Sequence, residues 1–193
     1  MGLRYRRQYY MVSRLEKVII RITVFCVVGL FPVIPLNKAI NAHNSDIEEL
    51  FLLINERLSY MEHVALYKER TNSPTEDIKR EAVVLIDAVE TANELGLFGP
   101  SIESFFKAQI SVAKAIQYRY RADWQSESPS FVPLNLQETI RPKLTKIGKS
   151  IVDKIATLYS NGEQINEEHR DLFYNSIDIE TVSYTHLTLP TKA

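Results

Sequence analysis

Apolar residues recur at steps of three and four from about Asp46 to Arg70: Ile47, Leu50, Phe51, Ile54, Leu58, Met61 and Ala65. That period belongs to a helix with one face turned into a core. Thr71-Asn72 ends the run. Ser73-Pro74-Thr75-Glu76 reads as a new start, with Ser73 as N-cap, Pro74 at the first helical position and Glu76 closing a capping box. This second helix is expected to run to about Leu95, where Gly96 offers the C-terminal cap. A third opens at Pro100 or Ser101 and carries Ile102, Phe106, Gln109, Ala113, Gln117, Tyr120 and Trp124 inward. After a Ser/Pro-rich connector at 126–133, a fourth covers roughly 136–159, with Ile140, Leu144, Ile147, Ile151, Ile155 and Leu158 on one face. Pro142 lies inside that span, so the helix is either kinked there or preceded by a short first turn. Asn161-Gly162 closes it, and a fifth begins near Asn166 and passes Leu172, Phe173 and Ile177. No stretch alternates as a strand does. The expectation is an all-α chain: one helical-bundle domain of five to six helices over residues 43–180.

The two ends break this pattern. Residues 1–21 are basic, and 22–35 (ITVFCVVGLFPVIP) are apolar throughout. A basic segment followed by so short an apolar run has the form of a secretory signal peptide, and falls short of a comfortable membrane span. Residues 1–42 are therefore expected to be a signal peptide, cleaved near Ala39 or Ala42, with export to a periplasm and no stable membrane association afterwards. The uncleaved anchor is the competing reading. The tail 181–193 drops both the helical period and all acidic residues; it is expected to be a non-native or disordered extension.

Composition adds two exclusions. The formal net charge is −1, but residues 1–21 hold six Lys/Arg against Glu16, and the remainder holds 17 cations against 23 acids. An acidic body argues against nucleic acid as the main partner. Any anion site must be built locally, against the overall field. Cys26 is the single cysteine, so no disulfide can form within the chain. His43, His63, His169 and His186 show no metal-binding spacing, so no Cys- or His-based metal site is expected.

The chemistry is expected where charges interrupt the apolar faces. Stepping back from Lys68 by fours and threes gives Val64, Met61, Arg57, Ile54 and Leu50, so two cations about three turns apart share the buried stripe. Asp77 and Glu81 enter the next stripe just before Val84 and Ala88. Isolated buried charges are costly and are normally paired or kept for a ligand. Each has a plainer reading. A single Arg or Lys at a stripe edge usually snorkels to solvent, Asp77 suits a helix N-terminus, and Glu81 suits an i,i+4 partner. Arg119-Tyr120-Arg121 and Trp124 read as structural.

The spacing Arg57, Lys68, Asp77, Arg80, Glu81, with Gln117 four residues beyond Ala113, resembles the all-helical chorismate mutases. NERLSYMEHVALYK, PTEDIKRE and FFKAQISVAKAIQYRYRADW resemble the secreted, periplasmic subclass, and the likeness covers about residues 46–175. The resemblance implies rearrangement of chorismate to prephenate through a compact chair-like transition state, with no cofactor and no covalent intermediate. It implies that Arg57 and Arg141 hold the substrate carboxylates, with Arg80 at the same anionic end. Lys68 and Gln117 would donate to the ether oxygen of the breaking bond, and Glu81, with the backbone near Asp77, would accept from the ring hydroxyl. Ala113 stands where some members carry a hydroxyl residue. It further implies a homodimer whose sites are each complete within one chain, because the helix after residue 134 supplies Arg141. Two other readings remain open at this level: an isochorismate pyruvate-lyase on the same scaffold, or a non-catalytic helical protein that binds dicarboxylates.

Overall fold

The computed structural model describes residues 40–178, with side chains from Ser45 onward. Cys26, the tail 181–193 and all but the last three residues of the expected signal peptide lie outside them. The amphipathic run from Asp46 forms α1 (Ile40–Ser59) and α2 (Met61–Arg70), separated by Tyr60 alone. Tyr60 keeps right-handed helical dihedrals, and its carbonyl accepts from the Val64 N–H at 3.0 Å, so one helical path continues through it. Next come α3 (Ile78–Glu94) and α4 (Gly99–Asp123). A π-helical turn, Leu136–Ile140, leads directly into α5 (Arg141–Ser160), and a 3-10 turn at Glu167–His169 into α6 (Arg170–Ser176). Every regular element among the described residues is helical. None of these helices is long and apolar enough to cross a membrane.

The core follows the predicted stripes. Ile47, Leu50, Phe51 and Ile54 of α1 meet Ile147, Ile151 and Val152 of α5, and Phe106 of α4 completes the centre. The Phe173 ring stands edge-on to Phe51 at 5.0 Å, fixing α6 against α1. Helix α4 crosses α2 and α3, so three helices wall a space that α5 closes. Pro142 occupies the first turn of α5, where a missing N–H costs nothing. The short preceding turn, rather than a kink, is how the chain accommodates it.

Three helices end alike. Asn72, Gly96 and Gly162 all take positive φ, at 50°, 74° and 72°. In each case the next N–H reaches back to the helix: Ser73 to Lys68 O at 2.8 Å, Leu97 to Ala92 O at 2.9 Å, Glu163 to Leu158 O at 2.9 Å. These are Schellman caps, which satisfy the last carbonyls.

One expected feature differs. The second helix starts at Ile78 with Asp77 as its N-cap, and Asp77 Oδ1 accepts from the Arg80 N–H at 3.1 Å. Ser73 to Glu76 instead run as an irregular connection. The reason is tertiary: the Thr75 carbonyl accepts from Lys68 Nζ at 2.6 Å, and Thr75 Oγ1 accepts from Arg121 Nη1 at 3.1 Å. Those anchors to α2 and α4 hold the segment out of helical geometry.

Candidate active site

A cavity opens between α2, α3, α4 and α5, with about 120 Å³ of space. A single ordered water needs roughly a tenth of that, so the room is for a small molecule. All eight residues singled out from the sequence line it: Arg57, Lys68, Asp77, Arg80, Glu81, Ala113, Gln117 and Arg141.

Arg57 comes from the last turn of α1 and is 5 % exposed, and its Nη1 has no hydrogen-bond partner. Burial, reinforced by the positive charge of Arg80, holds its pKa down to about 10. Lys68, 8 % exposed, also titrates below the ordinary lysine value, chiefly because of burial; Asp77, the next influence, opposes the shift. One Lys68 hydrogen bond goes to Thr75 O. An ammonium has three donors, which leaves two for the cavity side.

Arg80 and Arg141 are held in place by neighbours. Arg80 Nη2 donates to Thr145 Oγ1 at 2.9 Å. Arg141 Nη2 pairs with Asp77 Oδ2 at 2.8 Å, while its Nη1 donates to Gln137 Oε1 at 2.9 Å. Asp77 thus caps α3 with one carboxylate oxygen and orients Arg141 with the other. Glu81 Oε1 accepts from the Asp77 N–H at 3.4 Å and Glu81 Oε2 pairs with Lys114 at 3.1 Å. Gln117 Nε2 donates to the Ala113 carbonyl at 3.1 Å and to Met61 Sδ at 3.6 Å. These acceptors fix which end of the amide is nitrogen. Gln117 Oε1 is buried without a partner.

Several lining residues were missed from sequence. Lys114, Lys149, Thr75, Thr145, Asp87 and Thr91 also face the cavity. Arg141, Thr145 and Lys149 are four residues apart and form one ridge of α5, a signal that was legible. Lys114 neighbours Ala113 on α4 and is brought to Glu81 only by the packing of α4 on α3. The charged lining consists of six cations (Arg57, Lys68, Arg80, Lys114, Arg141, Lys149) and three acids (Asp77, Glu81, Asp87), an excess of three positive charges. A buried guanidinium with one unpartnered nitrogen, an ammonium and an amide in a small, net-positive cavity make a receptor for a compact polyanion. The Arg119, Tyr120, Arg121 cluster is structural: Arg119 pairs with Asp123, and Arg121 with Glu69.

Comparison with known proteins points the same way. The family model for chorismate mutase type II matches residues 43–118. The secreted chorismate mutase of Yersinia pestis is 47% identical over 105 residues, which cover 54% of this chain and 56% of that protein. The chain thus spans a little over half of that relative's length. The monofunctional chorismate mutase of Enterobacter agglomerans is 34% identical over 137 residues, covering 71% of this chain and 70% of that protein. The crystal structure of the secreted Yersinia pestis enzyme superimposes with a TM-score of 0.62 at 40% identity, over 68% of this chain and 84% of that one. A chorismate mutase from Burkholderia thailandensis, at 22% identity and a TM-score of 0.58 over 68% of this chain and 96% of that one, shares the fold.

Proposed function

Since the chain belongs to the chorismate mutase type II family, we propose that it rearranges chorismate to prephenate in the cavity between α2, α3, α4 and α5. The observation that carries this reading is the convergence of Arg57, Lys68, Arg80, Arg141 and Gln117 on one cavity. The rearrangement is intramolecular: a carbon–oxygen ether bond breaks as a carbon–carbon bond forms, and no proton or group leaves. The protein therefore has two tasks, to hold a dicarboxylate in its reactive shape and to meet the negative charge growing on the ether oxygen.

In this proposal Arg57 and Arg141 take the carboxylates, with Arg80 at the same end. Guanidinium forks suit planar carboxylates, and the point charge of Lys68 suits a single ether oxygen. Gln117 turns its Nε2 from the Ala113 carbonyl to that same oxygen. Glu81, steadied by Lys114 and by the Asp77 N–H, accepts from the ring hydroxyl. Ala113 contributes a carbonyl and space but no hydroxyl donor. The ends of the reacting molecule are met by residues of one chain, so each chain carries a whole site.

The experiment is chorismate consumption with product identified by chromatography. Prephenate is expected, and Lys68→Ala should lower kcat by about 10²–10³-fold, the usual effect of losing a donor to a developing oxyanion. Folded protein that forms no prephenate, or that instead releases pyruvate from isochorismate, would refute the assignment.

Export and pairing belong to the same proposal. The basic and apolar segments of residues 1–35, together with a relative named as secreted, support export to a periplasm. A homodimer is supported by the outer face of α3, where Ile78, Val83 and Ile86 are 79 %, 42 % and 55 % exposed. Antiparallel contact of two such helices about an axis near residues 84 and 85 sets Ile86 against Val83 of the other copy. It also sets Lys79 against Glu90 of the other copy, twice by symmetry.

A further inference from the structure

Outside the cavity, and sharing a wall with it, is a broad, open concavity lined by Arg80, Gln137, Arg141, Thr145, Lys146 and Lys149. Four of these are cations and none is an acid. Asp77 neutralises Arg141 from behind, which leaves three positive charges facing one hollow of an otherwise acidic chain. Lys146 and Lys149 lie a turn apart on α5 and have no hydrogen bond or ion pair among the described residues. Like charges brought together in this way repel. The two arginines are already oriented, Arg80 by Thr145 and Arg141 by Gln137 and Asp77, so an incoming anion meets fixed donors and little ordering is needed.

We infer that this mouth is a second anion site, for a phosphate group. Four cationic side chains reach the hollow from α3 and from successive turns of α5. A tetrahedral oxyanion has enough oxygens, directed apart, to accept from all four, whereas a planar carboxylate suits one fork. Because Arg80, Arg141, Thr145 and Lys149 belong to both spaces, occupation of the mouth withdraws the two arginines from the inner cavity. A phosphate there competes with substrate; that consequence, though not the binding itself, rests on the function proposed above.

The test is titration calorimetry of the full chain with inorganic phosphate and, in parallel, glycerol 3-phosphate, at ionic strength balanced with chloride. Saturable binding is expected, weakened about threefold by Lys146→Gln and about tenfold by Lys146→Glu, in variants whose helicity is unchanged. Lys146 lies on the mouth and does not line the inner cavity, so it separates the two. The tighter of the two probes identifies free phosphate or an ester as the class of ligand. In kinetics, phosphate should raise the KM for chorismate in the wild type and lose that effect in Lys146→Glu. Absence of saturable binding overturns the inference, as does phosphate affinity indifferent to Lys146→Glu. If chorismate is not turned over at all, the proposed function fails while the calorimetry still decides this site.

Discussion

In the proposed function, Arg57 sets stability against substrate binding at a single position. Its guanidinium is buried with an unpartnered nitrogen, a cost that only a bound anion offsets. Arg57→Met keeps the length and removes the charge. We expect it to stabilise the free protein by about 1 kcal/mol while raising KM at least tenfold; a thermal melt and a substrate titration read the two effects. The sign of the pH dependence follows from the same burial. The folded pKa of about 10 lies below the ordinary arginine value, so between the two the unfolded chain binds more protons than the native one. Arg57 therefore destabilises most below pH 10, and its contribution to stability rises with pH through that window. Activity moves the other way. Lys68 loses its proton below the ordinary lysine value of 10.5, so kcat/KM should fall on the alkaline side before an exposed lysine would titrate. A profile flat through that region would argue against a charged Lys68 in the reaction. At Gln117, a carboxyl group can donate only when protonated. Gln117→Glu should thus confine activity to acid pH, while a profile of wild-type shape would remove Gln117 from the donor role.

Helix ends, more than helix bodies, set the geometry of the site. The Schellman cap at Asn72 turns the chain after Lys68, and the anchored Thr75 carries it to Asp77, whose carboxylate starts α3 and orients Arg141. Asp77→Ala should lower stability by about 1 kcal/mol through the lost cap, and should weaken substrate binding as well because Arg141 loses its brace. Asp77→Asn keeps the capping oxygen, so denaturant unfolding should recover while binding stays impaired; equal recovery of both would show that Asp77 acts as a cap alone. The helices were legible because their stripes are long and uniform, and Gly96 and Gly162 announced their ends. The start of α3 was not. Ser73-Pro74-Thr75-Glu76 has the local form of a capping box, but the Thr75 contacts with Lys68 and Arg121 outweigh a preference of about 1 kcal/mol.

At the level of the whole molecule, α3 is amphipathic twice over. Its inner face supplies Arg80, Glu81 and Ala88 to the cavity, and its outer face leaves Ile78, Val83 and Ile86 in solvent. If copies pair through that outer face, Ile86→Glu should yield a monomer by sedimentation with an intact site, since Ile86 does not line the cavity. Charge reversal at Lys79 should weaken the dimer, and a compensating reversal at Glu90 should restore it. A wild-type protein that sediments as a monomer at micromolar concentration would end this reading.

Arg80, Ala113, Gln117 and Arg141 were expected from the likeness to the all-helical chorismate mutases. The sequence by itself determined the helical class, the core faces and four of the charged residues that line the cavity, Arg57, Lys68, Asp77 and Glu81. Each of these is written in a period of 3.6 or in the conflict between a charge and an apolar stripe, and both are local properties. Only the tertiary structure decided where α3 begins, that Lys114 meets Glu81, that Asp77 holds Arg141, and that Arg80 joins the α5 cations at one mouth. Lys114 and Glu81 are 33 positions apart, Asp77 and Arg141 are 64, and Arg80 stands 66 and 69 positions from Lys146 and Lys149. The angle at which two helices pack sets which side chains meet, and no local pattern records that angle.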